Sequence, residues 1–294
     1  MVQTPMKIKT RNFVLDGSEK MDLKKWPTKT KALYESDKDY DSTIAEHVQQ
    51  LSRFQEVLYA HHRYAVLIIF QGMDASGKDG MIKHVMSGLN PQGCQVFTFK
   101  QPSVDELQHD FLWRTVCRLP QRGHIGVFNR SYYEEVLIVR IHPAVLKGEF
   151  LPDELVDDGI WKDRYRSIRD FERHLYRNGT RVLKFFLHLS KKEQRDRFLS
   201  RLEEPEKNWK FSEADIAERE YWKDYVHAYE RCLEATASDV APWYIVPADD
   251  KKNARLIVSG IIQDAMSTLK LSYPEPALPR GNRLKKIRKQ LESE

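Results

Sequence analysis

Cysteine is scarce in this sequence: Cys94, Cys117 and Cys232 are spread over 294 residues, at spacings that match no metal-ligand pattern. An odd number of separated thiols argues against a disulfide-stapled secreted domain, so we expect reduced cysteines and a cytoplasmic protein. Long apolar runs are also missing. No run approaches the ~20 residues that cross a membrane, and the N-terminus lacks a signal-peptide core. We therefore expect no membrane partner.

Neither sign of charge dominates the chain, because 48 Lys and Arg residues face 43 Asp and Glu residues, for a net charge of +5. With 41% hydrophobic and 31% charged residues, the composition is typical of a folded globular chain. The basic excess is concentrated from Arg280 to Lys289, a stretch with six basic residues and no acid. This stretch could be a polyanion-binding tail or a solvated helix end, and we favour the solvated helix end.

The most informative stretch begins with an apolar, β-branched run at 65–71, which is typical of a buried parallel strand. The seven residues Gly72–Lys78 follow and fit the first seven positions of the phosphate-binding pattern G-x-x-x-x-G-K. A helical pattern comes next. Such a loop turns backbone N–H groups inward and directs a helix N-terminus at the anion, so we predict a phosphate-binding loop.

Two acids distinguish this loop from the usual pattern. Asp79 occupies the position where Ser or Thr would hold Mg²⁺, and Asp74 lies inside the loop. Two carboxylates would repel a phosphate unless a cation lay between them, so we infer that the loop binds phosphate through a metal ion. Alternatively, Asp79 could merely favour the positive end of the helix.

Strand and helix patterns alternate along the chain. Apolar runs predict strands at 65–71, 95–100, 123–130, 182–189 and 243–248. Helical periodicity predicts helices at 42–62, 103–114, 131–139, 161–175, 190–202, 212–229 and 251–270. Ser103, Ser131 and Ser190 each begin an S-x-x-E capping box. The alternation predicts an α/β fold with a parallel sheet covered by helices on both faces and ligands at the C-terminal strand ends.

Composition divides the chain into three segments. Residues 1–40 are polar without a sustained period and predict an N-terminal extension, residues 41–275 carry the alternating pattern of the domain, and residues 276–294 form a basic C-terminal tail. Within the domain, a helix with arginines is followed by a charged loop and a second helix. This order predicts a lid at about 191–220 that closes over phosphates and excludes water.

The polar residues that follow the strands indicate phosphoryl-transfer chemistry, which requires positioning and charge neutralisation. We expect Lys78 to contact bridging oxygens and Asp74 to hold Mg²⁺. Arg130, Arg197 and Arg201 could supply bidentate contacts to phosphate oxygens. Arg197 and Arg201 share a helix face because they are four residues apart, but they could instead form ordinary surface ion pairs with acids on or near the same helix.

Two further residues have an open interpretation. Glu134 is explained as the capping residue of the Ser131 box. Asn129 stands where many phosphate-loop enzymes have a second metal-ligating Asp, and an amide cannot carry that charge. His109 and Asp110 are adjacent on the predicted helix and point to different sides, which argues against an acid–base pair.

Several segments together resemble the second family of polyphosphate kinases. The resemblance spans roughly residues 40–270, and its motifs are Gly72–Gly80, Lys100–Ser103, His109–Arg114, Phe128–Glu134, Ser190–Gln194, Trp209–Ser212 and Ala241–Tyr244. It implies a three-layer, thymidylate-kinase-like P-loop fold with a helical lid. It also implies transfer of phosphate between inorganic polyphosphate and AMP, ADP or ATP with Mg²⁺ or Mn²⁺, in a homo-oligomer (dimer or tetramer) without a nucleic-acid partner.

The sequence Asn-Arg-Ser-Tyr-Tyr-Glu at 129–134 is similar to the subgroup that accepts nucleoside monophosphates as well as diphosphates, and Glu134 would then lie near the acceptor nucleotide. The resemblance implies catalytic roles for Asp74, Lys78 and Arg130, with Asp74 as the metal ligand. It implies nucleotide contacts from Asn129, Glu134 and Arg140. It implies phosphate contacts from Gly72, Ala75, Ser76, Gly77, Lys78, Asp79, Lys100, Arg130, Arg197 and Arg201.

Two other functions fit the loop and the charge pattern. One is a nucleoside monophosphate kinase that uses ATP as the phosphate donor. The other is a non-catalytic polyanion-binding module that relies on the basic tail.

Overall fold

The computed structural model describes residues 8–17, 20–275 and 281–293, and within them it contains one mixed sheet. The sheet order is β1-β6-β5-β2-β4-β3. The strands are β1 (Val14–Leu15), β2 (Ala65–Gln71), β3 (Cys94–Thr98), β4 (Ile125–Asn129), β5 (Thr180–His188) and β6 (Trp243–Pro247). The five strands predicted from the sequence pair in parallel, which confirms the predicted sheet.

The helices lie between these strands and at the chain ends. They are α1 (Asp37–His61), α2 (Lys78–Val85), α3 (Val104–Leu107), α4 (Trp113–Val116), α5 (Ile138–Ile141), α6 (Pro143–Lys147), α7 (Ile160–Arg177), α8 (Lys191–Glu203), α9 (Glu213–Glu218), α10 (Trp222–Thr236), α11 (Lys251–Ser267) and α12 (Asn282–Leu291). Short 3₁₀ turns include Leu23–Lys25, Tyr132–Val136, Pro205–Lys210 and Arg219–Tyr221. None of the helices in the described ranges is both long and apolar enough to cross a membrane.

The central strand β2 is buried on both faces, and its alternating side chains divide the core in two. Leu67 and Ile69 belong to the cluster covered by α7 and α10, whereas Val66, Ile68 and Phe70 belong to the cluster covered by α1, α2 and α11. Helices therefore pack on both sides of the sheet, and the predicted three-layer α/β fold is confirmed.

Local hydrogen bonds shorten two of the predicted helices. The predicted helix at 103–114 is divided into α3 and α4, and in the turn between them the Asp110 carboxylate accepts from the Leu112 backbone N–H at 2.9 Å. The predicted helix at 131–139 begins as a 3₁₀ turn, in which the Ser131 hydroxyl accepts from the Tyr133 N–H. The capping box predicted at Ser131 is therefore wrong, and Glu134 is not its cap.

The other two predicted boxes differ from one another. At Ser103 both reciprocal bonds are present, so this capping box is confirmed. At Ser190 the hydroxyl accepts from the Glu193 N–H, but the Glu193 carboxylate binds Arg197 at 2.8 Å instead of returning to the cap. One of the two hydrogen bonds of that capping box is therefore formed, and the other is missing because Arg197 binds the Glu193 carboxylate.

Part of the segment predicted as an N-terminal extension packs onto the domain. Its strand β1 runs antiparallel to β6, and Met21 and Leu23 are buried against the core. Thr28 donates to the Asp249 carboxylate at 2.8 Å. At the other end of the chain, the described side chains of α12 are exposed, and Arg280 lies outside the described residues. The domain boundaries stay a prediction.

Candidate functional site

The loop Gly72–Gly77 follows the central strand β2 and leads into α2, at the edge where β4 and β5 also end. Close approach explains the first glycine, because a Cβ at Gly72 would lie 2.8 Å from the Ser76 Oγ and 3.0 Å from the Leu187 carbonyl oxygen. Gly77 caps α2 with a φ of 99°. Ala75 has a φ of 59°, a conformation that costs free energy in a residue with a side chain and that clusters at ligand sites.

Lys78 lies under this loop. Its ammonium donates to the Gly72 carbonyl at 2.7 Å and to the Met73 carbonyl at 3.2 Å. Its side chain is buried, and burial together with the neighbouring Arg130 guanidinium lowers the pKa of Lys78 to about 8. The ammonium is therefore at the phosphate loop, where an incoming phosphate oxygen could replace the two carbonyls.

The two residues that depart from the usual phosphate-loop enzymes contact each other. The Asn129 amide at the end of β4 donates to the Asp79 carboxylate at 2.7 Å. The parallel register that pairs Phe70 with Asn129 brings the strand end to the start of α2. The Asp79 carboxylate is thus held by a hydrogen bond from an amide. It also lies at the positive end of the α2 dipole.

Arg130 lies between two carboxylates. Its guanidinium donates to Asp74 at 2.7 Å and lies 3.9 Å from Glu134. Its φ of 64° is unusual for an arginine and directs the chain across the loop. Glu134 also faces the Gln71 amide, whose nitrogen lies 2.9 Å from the Glu134 carboxylate in the orientation that satisfies its neighbours. Asp74, Arg130 and Glu134 therefore form one connected group beside the loop.

Helix α8 holds the loop from behind. Arg197 donates to the carbonyls of Ala75 and Ser76 at 2.9 and 3.0 Å, and to the Ala248 carbonyl at 2.6 Å. Its Nε binds Glu193, and its side chain is only 8% exposed. Gln194 donates to the Asp74 carbonyl at 2.9 Å. The donors of Arg197 are thus occupied by backbone, and the phosphate contact expected of it stays a prediction.

Arg201 lies farther along α8 and contacts the segment predicted as a lid. It donates to the Asp215 carboxylate on α9 and to the Lys210 carbonyl, both at 3.2 Å. Burial and the nearby Asp74 carboxylate raise the pKa of Asp215. The Asp215 carboxylate on α9 is therefore within electrostatic range of the Asp74 carboxylate on the phosphate loop.

Lys100 and Arg140 lie away from this group. Lys100 is exposed after β3, and its carbonyl accepts from Arg114 at 2.7 Å. Arg140 donates to the Tyr165 hydroxyl at 3.0 Å and lies over the Trp161 ring. Arg140 also lines a pocket of about 320 Å³. Neither side chain forms a hydrogen bond or ion pair with the loop in the parts of the chain that the structure describes, and their ligand contacts stay predictions.

Asp215, Tyr225 and Tyr229 are site residues that the sequence interpretation did not include. Tyr225 donates to Glu218 at 2.7 Å, and burial together with Glu134 raises the pKa of Tyr229 well above its usual value. Both tyrosines lie on α10, four residues apart, within the helix that the sequence predicted at 212–229. The same spacing could have indicated a row of hydroxyl groups next to the site.

The residues present fit a divalent cation of the Mg²⁺ type. Among the residues that the structure describes, no group of three or more His, Cys, Asp or Glu side chains could form a complete metal cage. Mg²⁺ does not require one, because it commonly binds one or two carboxylates, water and substrate phosphates. Asp74 supplies a carboxylate at the loop, and Asp215 on α9 supplies a second carboxylate, whose pKa is raised by burial and by the Asp74 charge.

Comparison with known proteins identifies the family. The sequence model of the family Polyphosphate kinase 2 (PPK2) matches residues 34–273. An ADP-polyphosphate phosphotransferase of Rhodopseudomonas palustris is 61% identical over 97% of this chain and 99% of its own length. An AMP/ADP-polyphosphate phosphotransferase of Meiothermus ruber is 43% identical over 78% of this chain and 81% of its own length.

Solved structures agree with the sequence relatives. The crystal structure of Polyphosphate Kinase 2 from Arthrobacter aurescens TC1 superposes with a TM-score of 0.84 and 35% identity, over 96% of this chain and 98% of the other. The chain therefore has relatives along nearly its whole length, and this length includes the phosphate loop, the neighbouring arginine and the parallel sheet. The chain belongs to the polyphosphate kinase 2 family.

Proposed function

We propose that this chain transfers phosphoryl groups between inorganic polyphosphate and nucleotides, converting AMP to ADP and ADP to ATP. One observation carries the proposal: the loop Gly72–Lys78, with Asp74 bound to Arg130, lies at the C-terminal edge of a sheet in a polyphosphate kinase 2 chain. The relative that is 61% identical is named for ADP, and the one that is 43% identical is named for AMP and ADP.

The phosphate loop supplies the groups that hold the donor phosphates. Its backbone N–H groups and the α2 N-terminus provide dipoles, and Lys78 provides a cation at the same place. The Ser76 hydroxyl is buried and has no hydrogen-bond partner within the described ranges, so it is available to a phosphate oxygen. The Arg197 and Gln194 side chains keep the loop in this shape by holding its carbonyls.

Arg130 is the residue best placed to stabilise the transferring group. It is held by Asp74 on one side and lies near Glu134 on the other, so two carboxylates favour one orientation of its guanidinium. Phosphoryl transfer places negative charge on the equatorial oxygens, and a fixed guanidinium neutralises that charge at no reorganisation cost.

We expect the reaction to depend on Mg²⁺, for which Mn²⁺ could substitute. Asp74 would hold the ion, with Asp215 as the facing carboxylate. When bound, the ion would neutralise phosphate charge and orient the phosphate chain relative to the acceptor.

Glu134 is the candidate determinant of the acceptor. It is beside Arg130 and faces Gln71, and it does not serve as a helix cap. We expect Glu134→Asn to change the ratio of AMP to ADP phosphorylation, with Glu154→Asn at an exposed position as the control. An unchanged ratio would remove Glu134 from acceptor selection.

Incubation of the purified protein with long-chain polyphosphate, AMP or ADP, and Mg²⁺ tests the activity. We expect ADP and ATP to form, and both products to disappear when Arg130 is replaced by Met. Failure to form either product would overturn the proposal. Turnover with ATP and AMP but not with polyphosphate would establish the nucleoside monophosphate kinase instead.

The non-catalytic alternative has its own test. Deletion of residues 279–294 should leave turnover unchanged in an enzyme, but it should abolish polyphosphate binding in a module that depends on the basic tail. Light scattering would test the predicted homo-oligomer, and cell fractionation would test the predicted cytoplasmic location.

A further inference from the structure

A pocket of about 780 Å³ lies between the N-terminal segment and the start of α10, outside the phosphate loop. Four of its lining residues are lysines, three from the segment and one from the helix, and Trp222 forms part of its wall. The lysines are Lys20, Lys24, Lys25 and Lys223. None of the functions assigned above uses these residues.

The charge of this pocket is positive because its four lysines outnumber its two acids, Asp22 and Glu230, and both acids accept hydrogen bonds from the backbone of the N-terminal segment. The Asp22 carboxylate accepts from the Lys24 backbone N–H at 3.1 Å, and the Glu230 carboxylate accepts from the Leu23 N–H at 3.0 Å. In the parts of the chain that the structure describes, none of the four lysines has a carboxylate within ion-pair distance. Their ammonium groups are therefore available to an anion.

The segment that carries the lysines is fixed to the domain. Met21 and Leu23 are buried in the same core cluster as α10, and the Leu23 N–H is bonded to that helix through Glu230. Lys24 and Lys25 lie on the 3₁₀ turn that follows. A fixed segment presents its charges at defined positions, so binding an anion does not require ordering a loose tail.

Two lines of contacts connect the pocket to the phosphate loop. On the first, the Lys191 ammonium lies 5.9 Å from the centre of the Trp222 ring, and Arg219 donates to Gln194, which in turn donates to the Asp74 carbonyl. Lys191 and Arg219 add two cations between the pocket and the loop.

The second line runs along the N-terminal segment itself. Three residues after Lys25, Thr28 is bonded to Asp249 through its side chain and its backbone. The Asp249 carbonyl accepts from Arg197, which also holds the Ser76 carbonyl of the loop. The pocket and the loop are thus separated by only a few directly bonded side chains.

We propose that this pocket is a remote subsite for inorganic polyphosphate, which binds the distal phosphates of a long chain whose end occupies the phosphate loop. The inference rests on the proposed function, since that function supplies a linear polyanion long enough to reach both places. A short oligophosphate would fill the loop alone. The pocket would then raise the affinity for long chains and leave the chemical step unchanged.

The test replaces the four pocket lysines by Gln and compares long-chain polyphosphate with tripolyphosphate. We expect the KM for the long chain to rise on the order of tenfold to a hundredfold, and the slope of log KM against log salt to decrease by about two to three. The value of kcat should stay the same. The inhibition constant of tripolyphosphate, measured as a competitor of the long chain, should change by less than about twofold.

Matched variants distinguish an effect of the pocket from general electrostatic attraction between the protein and polyphosphate. Replacement of Lys38, Lys147, Lys162 and Lys270 by Gln removes the same charge from exposed positions elsewhere and should leave the KM unchanged. Replacement of the four pocket lysines by Arg should retain the affinity.

Equal weakening of long and short phosphates, an effect of equal size in the matched variant, or no effect at all would each overturn the remote subsite. Absence of turnover in the unmodified protein would instead overturn the proposed function. The two failures are therefore distinguishable.

Discussion

Replacement of Arg197 tests whether this arginine binds phosphate or supports the loop. The structure favours support, because its guanidinium donates to four backbone carbonyls and to Glu193. Loss of one partner of a buried, hydrogen-bonded charge costs about 3–5 kcal/mol. At about 2–3 °C per kcal/mol for a chain of this size, Arg197→Met should lower the Tm by about 6–15 °C.

The effect on catalysis follows from the position of the loop. Without Arg197 the carbonyls of Ala75 and Ser76 lose their donor, so the loop N–H groups no longer point at the donor phosphate. A displacement of about 1 Å at a reacting group costs on the order of 10²-fold in rate, so we expect kcat to fall by that amount.

Arg197→Lys is the variant that decides between the two roles. An ammonium keeps the charge but has three donors, which cannot reproduce the five donors of the planar guanidinium. If Arg197 supports the loop, Lys should be nearly as damaging as Met to both Tm and kcat. Arg195→Met, on the exposed side of the same helix, is the matched control.

Differential scanning fluorimetry and steady-state kinetics with polyphosphate measure both effects. A native Tm in Arg197→Met combined with a raised KM for polyphosphate would refute the reasoning. That result would instead support the phosphate contact that the sequence predicted for Arg197.

Three further predictions concern charge at and behind the site. Asn129→Asp should lower kcat/KM about tenfold or more, because it places a second negative charge next to Asp79. In a double-mutant cycle, adding Asp79→Asn should restore much of the lost kcat/KM. Burial and Arg130 lower the Lys78 pKa to about 8, so kcat/KM for polyphosphate should fall tenfold per pH unit above about 8 as the ammonium loses its proton; a flat profile to pH 10 would contradict this. Lys184→Met should cost about 3–5 kcal/mol in urea unfolding because it leaves the buried Glu172 carboxylate without its cation. Adding Glu172→Gln removes that charge and keeps an acceptor for the Tyr132 and Tyr133 hydroxyls, so it should recover part of the loss.

The sequence predicted the layers and the loop because both depend on local pattern. An apolar run, a glycine-rich turn and a helix start are signals within a few residues of one another, and the alternation of strands and helices leaves few arrangements for a parallel sheet. Strand β1 was not predicted, since two residues carry no period. Its pairing with β6 depends on residues more than two hundred positions away.

The contacts of individual side chains could not be predicted in the same way. The spacing of Arg197 and Arg201 correctly placed them on one helix, but it does not say whether that face meets a phosphate or the carbonyls of a loop. The role of Ser131 depended on a competition within one turn, where the nearer Tyr133 N–H took its hydroxyl. Such outcomes depend on donors and acceptors brought together by the fold.

The Asp79 carboxylate, which is bonded to Asn129, also contributes to the net charge of the whole site. The loop and its immediate partners hold three cations and four carboxylates, so the rim alone does not strongly attract a polyanion. The cations are Lys78, Arg130 and Arg197, and the carboxylates are Asp74, Asp79, Glu134 and Glu193.

Affinity for a polyphosphate chain must therefore come from positive charge added to this balanced site. We expect a divalent cation at Asp74 to supply part of it where the phosphoryl group is transferred. The lysines beside Trp222 supply another part at a distance, where they hold the chain without crowding the reacting group. On this reasoning, metal dependence should appear in kcat and in the KM for both short and long chains, whereas salt dependence should appear mainly in the KM for long chains.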